Sequence, residues 1–332
     1  MSKITYLFGA GASANALPVV NQISDRLKIF IRVLRSDAFK LGSEKIDGVE
    51  KTKHDYQMQL IDDLEWLNKE TSRHASIDTF AKKLTLKREH KLLRKLKICL
   101  SLFFAFEQID KSLDKRYDSF FASILNSMTK FPENIRILSW NYDAQFELSI
   151  SEYINQVDLS FSETWLGVRN KFEQKRYDPG FGIFKLNGSA SCFVKEDYGL
   201  QKIWLLTKEE DKIDSSVIEK IIIQYALATS QIISPFLSFS WEQNNRILEE
   251  TISETKDTKT LIVIGYSFPF FNRKIDREII GNMQNLSTVY FQSPEAKKLI
   301  QRFSAVDSIK QIVPKLIPLE DDLDQFFLPP EL

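Results

Sequence analysis

Four short stretches carry residue types and spacings suited to chemistry on a nucleotide. In Gly9-Ala10-Gly11-Ala12-Ser13 the side chains are small enough for the backbone to approach a pyrophosphate. A helix N-terminus after such a turn adds free N–H groups and the positive end of its dipole. No third glycine completes a G-x-G-x-x-G pattern, and no Gly-Lys-Ser/Thr makes a Walker A loop. A plain strand-to-helix corner fits the same residues equally well. In Ser139–Asp143, "SWNYD", Asn141 can both donate and accept hydrogen bonds, and Asp143 can orient it or hold a ribose hydroxyl. An Asx-type cap on the next helix is the alternative. In "FKLNGSA", Phe184–Ala190, Asn187 projects from a strand end and Gly188 permits a tight turn, or the pair is a simple Asn-Gly turn. In "LIVIGYSFP", Leu261–Pro269, Gly265 allows close backbone approach and Ser267 can bond a phosphate or ribose. The alternative there is a strand terminus whose Tyr266 enters the core.

These stretches need a scaffold, and the hydrophobic pattern supplies one. "KITYLF" reads as a buried strand, followed after the glycine turn by an amphipathic helix over Asn21–Arg35 with Ile23, Leu27, Phe30 and Leu34 on one face. Further strands are expected at Ile135–Trp140, Phe181–Leu186, Lys202–Leu206, Gln231–Ser234, Thr260–Gly265 and Thr288–Gln292. Helices are expected in "FSWEQNNRILEETISE" and from about Arg273 to Met283. Continuous apolar strands alternating with helices imply a Rossmann-like, doubly wound parallel α/β sheet. All four stretches then lie at strand carboxyl ends, where open α/β sheets bind ligands.

Residues 37–130 change character: they are helical in period and poor in glycine, and read as an all-helical insertion. The α/β domain is then discontinuous, 1–36 with 131–318, and 319–332 form an acidic tail that lies over the surface or packs through Phe326 and Phe327. The run "LKREHKLLRKLK" is most simply a solvated basic helix face. Read instead as an interface, it raises a weaker possibility of nucleic-acid processing. The 45 basic and 45 acidic residues of the 332 cancel, which argues against nonspecific nucleic-acid or membrane binding. With 43% hydrophobic and 27% charged residues, a sizeable core is expected, and 25 Phe can fill much of it. Cys99 and Cys192 are too few for a disulfide framework or a cysteine zinc site, and His54, His74 and His90 lack metal-ligand spacing. Neither a signal peptide nor a run of about 18 apolar residues is present, so a cytoplasmic location is expected.

The order GAGAS, NYD, NGS, GYS resembles the sirtuin-like (silent information regulator) NAD-binding domain, in the divergent bacterial branch found in anti-phage defence proteins. "SIDTFAKKL", Ser76–Leu84, is also similar to a helical segment of that branch. The resemblance covers roughly Ile4–Ser36 and Ser76–Pro294. It implies the sirtuin/deoxyhypusine-synthase-like fold and cleavage of NAD, as substrate, to nicotinamide and ADP-ribose. On that analogy Gly9, Ala10, Gly11 and Ser13 line the pyrophosphate. Asn141 contacts the nicotinamide ribose with Asp143 beside it, Asn187 and Gly188 stand at the catalytic strand end, and Gly265, Tyr266 and Ser267 cradle the adenosine half. The implied partners are further copies of the chain and an activator, such as a translocase-type ATPase or a phage protein, with no metal, membrane or direct nucleic-acid contact.

Two departures matter. The four-cysteine zinc module of the deacetylase branch cannot be built here, which argues against deacetylation. The family's catalytic histidine falls on Asn187, which cannot act as a general base; such a base is worth about 10²–10⁴-fold. Two functions therefore compete at this stage: an NAD glycohydrolase, and a module that binds NAD or ADP-ribose without turnover as a sensor or scaffold.

Overall fold

The computed structural model describes residues 3–111, 113–125, 127, 130–172, 180–195, 200–207, 212–242, 245–304 and 314–332. The chain divides into two units: Met1–Asn15 with Leu113–Gly188 and Ser238–Leu332, and Ala16–Ser112 with Ser189–Leu237. Its strands are β1 (Lys3–Phe8), β2 (Ile135–Ser139), β3 (Val168–Asn170), β4 (Gly182–Lys185), β5 (Gly188–Lys195), β6 (Gln201–Trp204), β7 (Ser234–Leu237), β8 (Thr258–Ile264), β9 (Thr288–Gln292) and β10 (Lys315–Leu319). Its helices are α1 (Ile23–Leu34), α2 (Lys53–Arg73), α3 (Ile77–Leu86), α4 (His90–Asp110), α5 (Lys115–Ile124), α6 (Gln145–Ile154), α7 (Leu159–Trp165), α8 (Ser215–Thr229), α9 (Asn245–Thr255), α10 (Arg273–Gly281) and α11 (Ala296–Ser304).

The first unit holds a seven-stranded sheet in the order β10-β9-β8-β1-β2-β4-β3, with every pair parallel. Period-two alternation sorts the strand residues onto two apolar layers. Leu7, Leu138, Phe184, Leu261, Val263 and Phe291 lie in one layer, and Tyr6, Phe8, Ile137, Ile183, Ile262 and Ile264 in the other. Both faces are thus covered, as a parallel sheet requires, and the expected doubly wound α/β class holds. Chain order runs outward from β1 to β2 and β4 on one side and returns through β8 and β9 on the other. That reversal makes the carboxyl edge at β1 and β8 the topological switch point.

The second unit packs α1, α2, α3, α4 and α8 with a three-stranded sheet ordered β6-β5-β7. Phe30 stacks on Phe106 with ring centroids 4.3 Å apart. Residues 37–130 carry helices and two isolated bridges among their described residues. The structural division has other bounds, however: α1 falls in the second unit and α5 in the first, and 189–237 join the helices.

Three local expectations change. β6 pairs antiparallel with β5 and stands in the small sheet, outside the parallel one. The strand expected at Gln231–Ser234 starts at Ser234, because α8 runs to Thr229 and Gln231 turns left-handed with φ 63°. The helix expected over Asn21–Arg35 is present at Ile23–Leu34, but 3-10 turns at Ala10–Ser13 and Val20–Gln22 stand between it and β1, so among the described residues no α-helix N-terminus follows the glycine turn directly in the chain.

The acidic tail packs through its aromatic pair. Phe326 is buried, with its ring edge-to-face on Phe8 (5.1 Å) and Tyr117 (5.0 Å) and the Arg116 guanidinium 5.1 Å from its centroid. The Phe327 N–H donates to Gln292 Oε1 at 3.0 Å. Truncating a buried Phe costs about 3–5 kcal/mol. Phe326→Ala is therefore expected to lower the unfolding free energy by about that amount, read as a lower denaturant midpoint at an unchanged m-value; an unchanged midpoint would show that the tail is not part of the core.

Candidate functional site

Four strand ends in the first unit build the site, and their backbones meet first. Gly265, just after β8, sits at φ 59°, and a Cβ there would fall 2.1 Å from the Ala12 nitrogen and 2.3 Å from the Gly11 carbonyl carbon. A Cβ on Gly9 would fall 2.6 Å from Tyr266 Cα, and one on Gly11 2.9 Å from Gly265 Cα. The Gly9 N–H donates to the Ile264 carbonyl (3.0 Å) and the Gly11 N–H to the Gly265 carbonyl (2.9 Å). The Ala12 and Ala14 N–H groups turn back to the Gly9 and Gly11 carbonyls. These glycines thus let two strand ends interlock, and four N–H groups of the loop are already used. Ala10 remains exposed, as do Ala14 and Asn15 after it.

Ser13 faces inward. Its hydroxyl donates to Asp143 Oδ2 at 2.7 Å and lies 2.7 Å from the Tyr117 hydroxyl, which must then donate to it. Asn141 Nδ2 donates to the same Ser13 oxygen at 3.3 Å. Asp143 is buried, and its Oδ1 accepts the N–H of Gln145, the first residue of α6, at 3.3 Å. Burial raises the Asp143 carboxyl above its ordinary range, against the opposing pull of the Lys185 charge and the Ser13 hydrogen bond. Below it, Lys185 Nζ donates to the Asp143 carbonyl at 2.6 Å and pairs with Glu147 at 2.7 Å, both side chains being essentially inaccessible. Losing one partner of such a pair costs about 3–5 kcal/mol, so Lys185 and Glu147 fix the loop that carries Asn141.

The two asparagines share one feature. Asn187 stands between β4 and β5, which lie in different sheets, so the Asn-Gly pair is no hairpin; Gly188 takes φ 73°. Asn187 Nδ2 donates to the Trp140 carbonyl at 3.0 Å, and its Oδ1 has no partner. Asn141 Oδ1 has none either. Both residues are more than nine-tenths buried, at 4% and 6% exposed. An unsatisfied buried acceptor costs about 1–3 kcal/mol. The two carbonyl oxygens at the ends of adjacent strands β2 and β4 are therefore ready acceptors for ligand hydroxyl or amide hydrogens. No side chain of this group offers a free base: Asn187 is an amide, and the Asp143 carboxylate is occupied by Ser13.

Tyr266 enters the core, as its alternative reading had it. Its ring lies parallel to Trp140 at 6.3 Å, and its hydroxyl donates to Asp276 Oδ2 at 2.7 Å. The Trp140 indole donates to Asp276 Oδ1 at 3.1 Å. Ser267 is exposed, and its carbonyl accepts from Arg302 at 3.2 Å. Desolvation pushes the Asp276 carboxyl up to about 7. Sequence reasoning missed Asp276, Lys185, Glu147 and Tyr117. A lysine inside the apolar run "FGIFKL" and an aspartate sharing a helix face with Ile279 and Ile280 were the available signals. Among the described residues no group of three or more His, Cys, Asp or Glu could hold a metal ion, and no helix is long and apolar enough to cross a membrane.

Two stability experiments follow from this geometry. Gly265→Ala adds a left-handed penalty of about 1–2 kcal/mol and an overlap costing about 1–3 kcal/mol, so its unfolding free energy should fall by several kcal/mol; a loss below about 1 kcal/mol would contradict the interlock. For Asp276, the folded carboxyl near 7 keeps a proton that the unfolded chain releases near 3.9. Stability from this group is full below about pH 4 and falls as pH rises to about 7, by up to about 4 kcal/mol. Asp276→Asn should remove that slope from denaturant titrations; identical slopes in both proteins would refute the assignment.

No family model matches the chain, and no curated protein does. Solved structures similar to it include a Sir2 complex with the inhibitor EX-527, 2'-O-acetyl-ADP-ribose and a deacetylated peptide, at 11% identity, covering 97% of this chain and 89% of that one with a TM-score of 0.43. A Sir2 homolog–NAD complex matches at 10% identity over 96% of this chain and 84% of that one, TM-score 0.43. A third, Sir2Tm bound to a propionylated peptide, matches at 11% identity over 97% and 89%, TM-score 0.40.

Proposed function

We propose that the chain binds NAD at the carboxyl edge of the parallel sheet and hydrolyses its nicotinamide–ribose bond. Water adds to the ribose carbon, nicotinamide leaves, and ADP-ribose and a proton are the other products. The observation that carries this reading is the pair of buried, unpartnered carbonyl oxygens on Asn141 and Asn187. Ribose presents hydroxyl donors that such acceptors satisfy, whereas a phosphate would be repelled by them. The exposed Ala10 and the turn after Ser13 form the accessible part of the glycine loop for the pyrophosphate. The leaving nicotinamide is neutral and departs from a cationic nucleotide, so acceptors that position the ribose and a water serve a dissociative, oxocarbenium-like path. In a cell the consequence is NAD depletion, which fits an anti-phage effector activated by assembly with further copies or by a partner protein.

The occupied Asp143 and the amide at Asn187 favour one other reading, nucleotide binding without turnover. One experiment separates them. Purified chain, alone and with candidate partners, is incubated with NAD, and nicotinamide and ADP-ribose are quantified. Slow release is expected. Asn141→Ala should lower it about 10- to 100-fold, and Asn187→His should raise it by about 10²-fold, the lower end of what a general base supplies. Tight binding with no release by the unsubstituted chain selects the second reading, and absence of both binding and release refutes the nucleotide site.

A further inference from the structure

Trp140 and Tyr266 follow β2 and β8, the two strands that flank β1. Trp140 comes directly after β2, its carbonyl accepts from the Asn187 amide, and Asn141 follows it. Tyr266 follows Gly265, and its Cα lies within contact of Gly9. One side chain joins them: Asp276 on α10 accepts the Trp140 indole with Oδ1 and the Tyr266 hydroxyl with Oδ2. All three residues are buried. We propose that Asp276 is a positioning residue, a two-pronged clamp that sets the alignment of the β2 and β8 ends and thereby the affinity of the site for its nucleotide. This rests on the nucleotide reading above.

The clamp has two states. Ionised, both oxygens accept. Protonated, one oxygen becomes a donor; the indole can only donate, so the proton must sit on Oδ2 and the Tyr266 hydroxyl must turn to accept it. The bond on the Tyr266 side is therefore the one that reverses. Among the described residues the carboxyl has no cation for a hydrogen-bonding partner; its partners are the Trp140 indole from the β2 end and the Tyr266 phenol from the β8 end. On α10 itself, Arg273 lies over the Phe270 ring at 5.6 Å, Lys274 pairs with Glu278 at 4.0 Å, and Arg277 is exposed. From α9, packed on α10, Ile247, Leu248 and Ile252 join the shared apolar cluster, while Glu250 pairs with Arg169 and Glu254 with Arg136. The carboxyl, held near neutrality by its burial, switches between these states in the physiological range.

The test uses the full chain and two readouts. First, tryptophan fluorescence of the free protein is titrated with pH. A transition near neutrality is expected, absent in Trp140→Phe and Asp276→Asn. In Tyr266→Phe it should move to higher pH, because the lost hydrogen bond favoured the ionised form. Second, ADP-ribose affinity is measured by calorimetry on both sides of that transition. The unsubstituted chain should bind about tenfold more weakly on the acid side, the scale of one charge-assisted hydrogen bond, while Asp276→Asn should show a flat profile. ADP-ribose binding with parallel pH profiles in the two proteins overturns the clamp and leaves the nucleotide reading standing. Absence of ADP-ribose binding at every pH overturns the nucleotide reading and the clamp with it.

Discussion

The missing side chain at Gly265 is the constraint on which the rest of the site depends. Its left-handed backbone leaves the β8 end lying directly against Gly11 and Ala12, closer than any Cβ would allow. That contact sets how near the ends of β1 and β8 come at the switch point of the sheet. It also decides what the loop N–H groups do: Gly9 and Gly11 donate across to the β8 end rather than outward. The glycines serve packing between neighbouring strand ends, and the accessible cradle is reduced to Ala10 and the turn beyond Ser13.

Around that interlock, polar groups are placed in an apolar edge by mutual satisfaction. Ser13 donates a hydrogen bond to Asp143 and accepts hydrogen bonds from Tyr117 and Asn141, so its bonding capacity is filled. Lys185 and Glu147 anchor the loop from beneath. The unpartnered acceptors at the strand ends are amide oxygens, which can orient a hydroxyl but cannot remove its proton. On the proposed reading, a site of that composition would work by holding a ribose and a water in place, with positioning rather than proton transfer setting its rate.

Much of the sheet was legible in the sequence because a buried parallel strand is a run of apolar residues, and "KITYLF", "IRILS", "TLIVI" and "TVYFQ" are such runs. The strands of the parallel sheet that escaped were short or half-polar: β3 is "VRN", whose arginine and asparagine are buried, and β10 is a five-residue edge strand; β5, "GSASCFVK", escaped because it opens on small and polar residues. The unit boundaries were illegible because they follow which segments pack together, and 189–237 joins the helical unit from far along the chain. At the site, the four strand ends were visible in the spacing of small and amide residues. Their roles were not. Whether a glycine faces a ligand or a neighbouring backbone depends on the loop opposite, as Gly9 and Tyr266 show. The same limit hid Asp276, whose partners lie on two other elements.

The central claim is that Asn141 and Asn187 accept hydrogen bonds from the ribose of a bound nucleotide. The measurement that tests it most directly is an experimental structure of the chain with ADP-ribose. Ribose hydroxyls are expected within hydrogen-bond distance of Asn141 Oδ1 and Asn187 Oδ1, with the diphosphate passing beside Ala10. A structure in which ADP-ribose occupies another part of the chain while both oxygens stay unpartnered would contradict it.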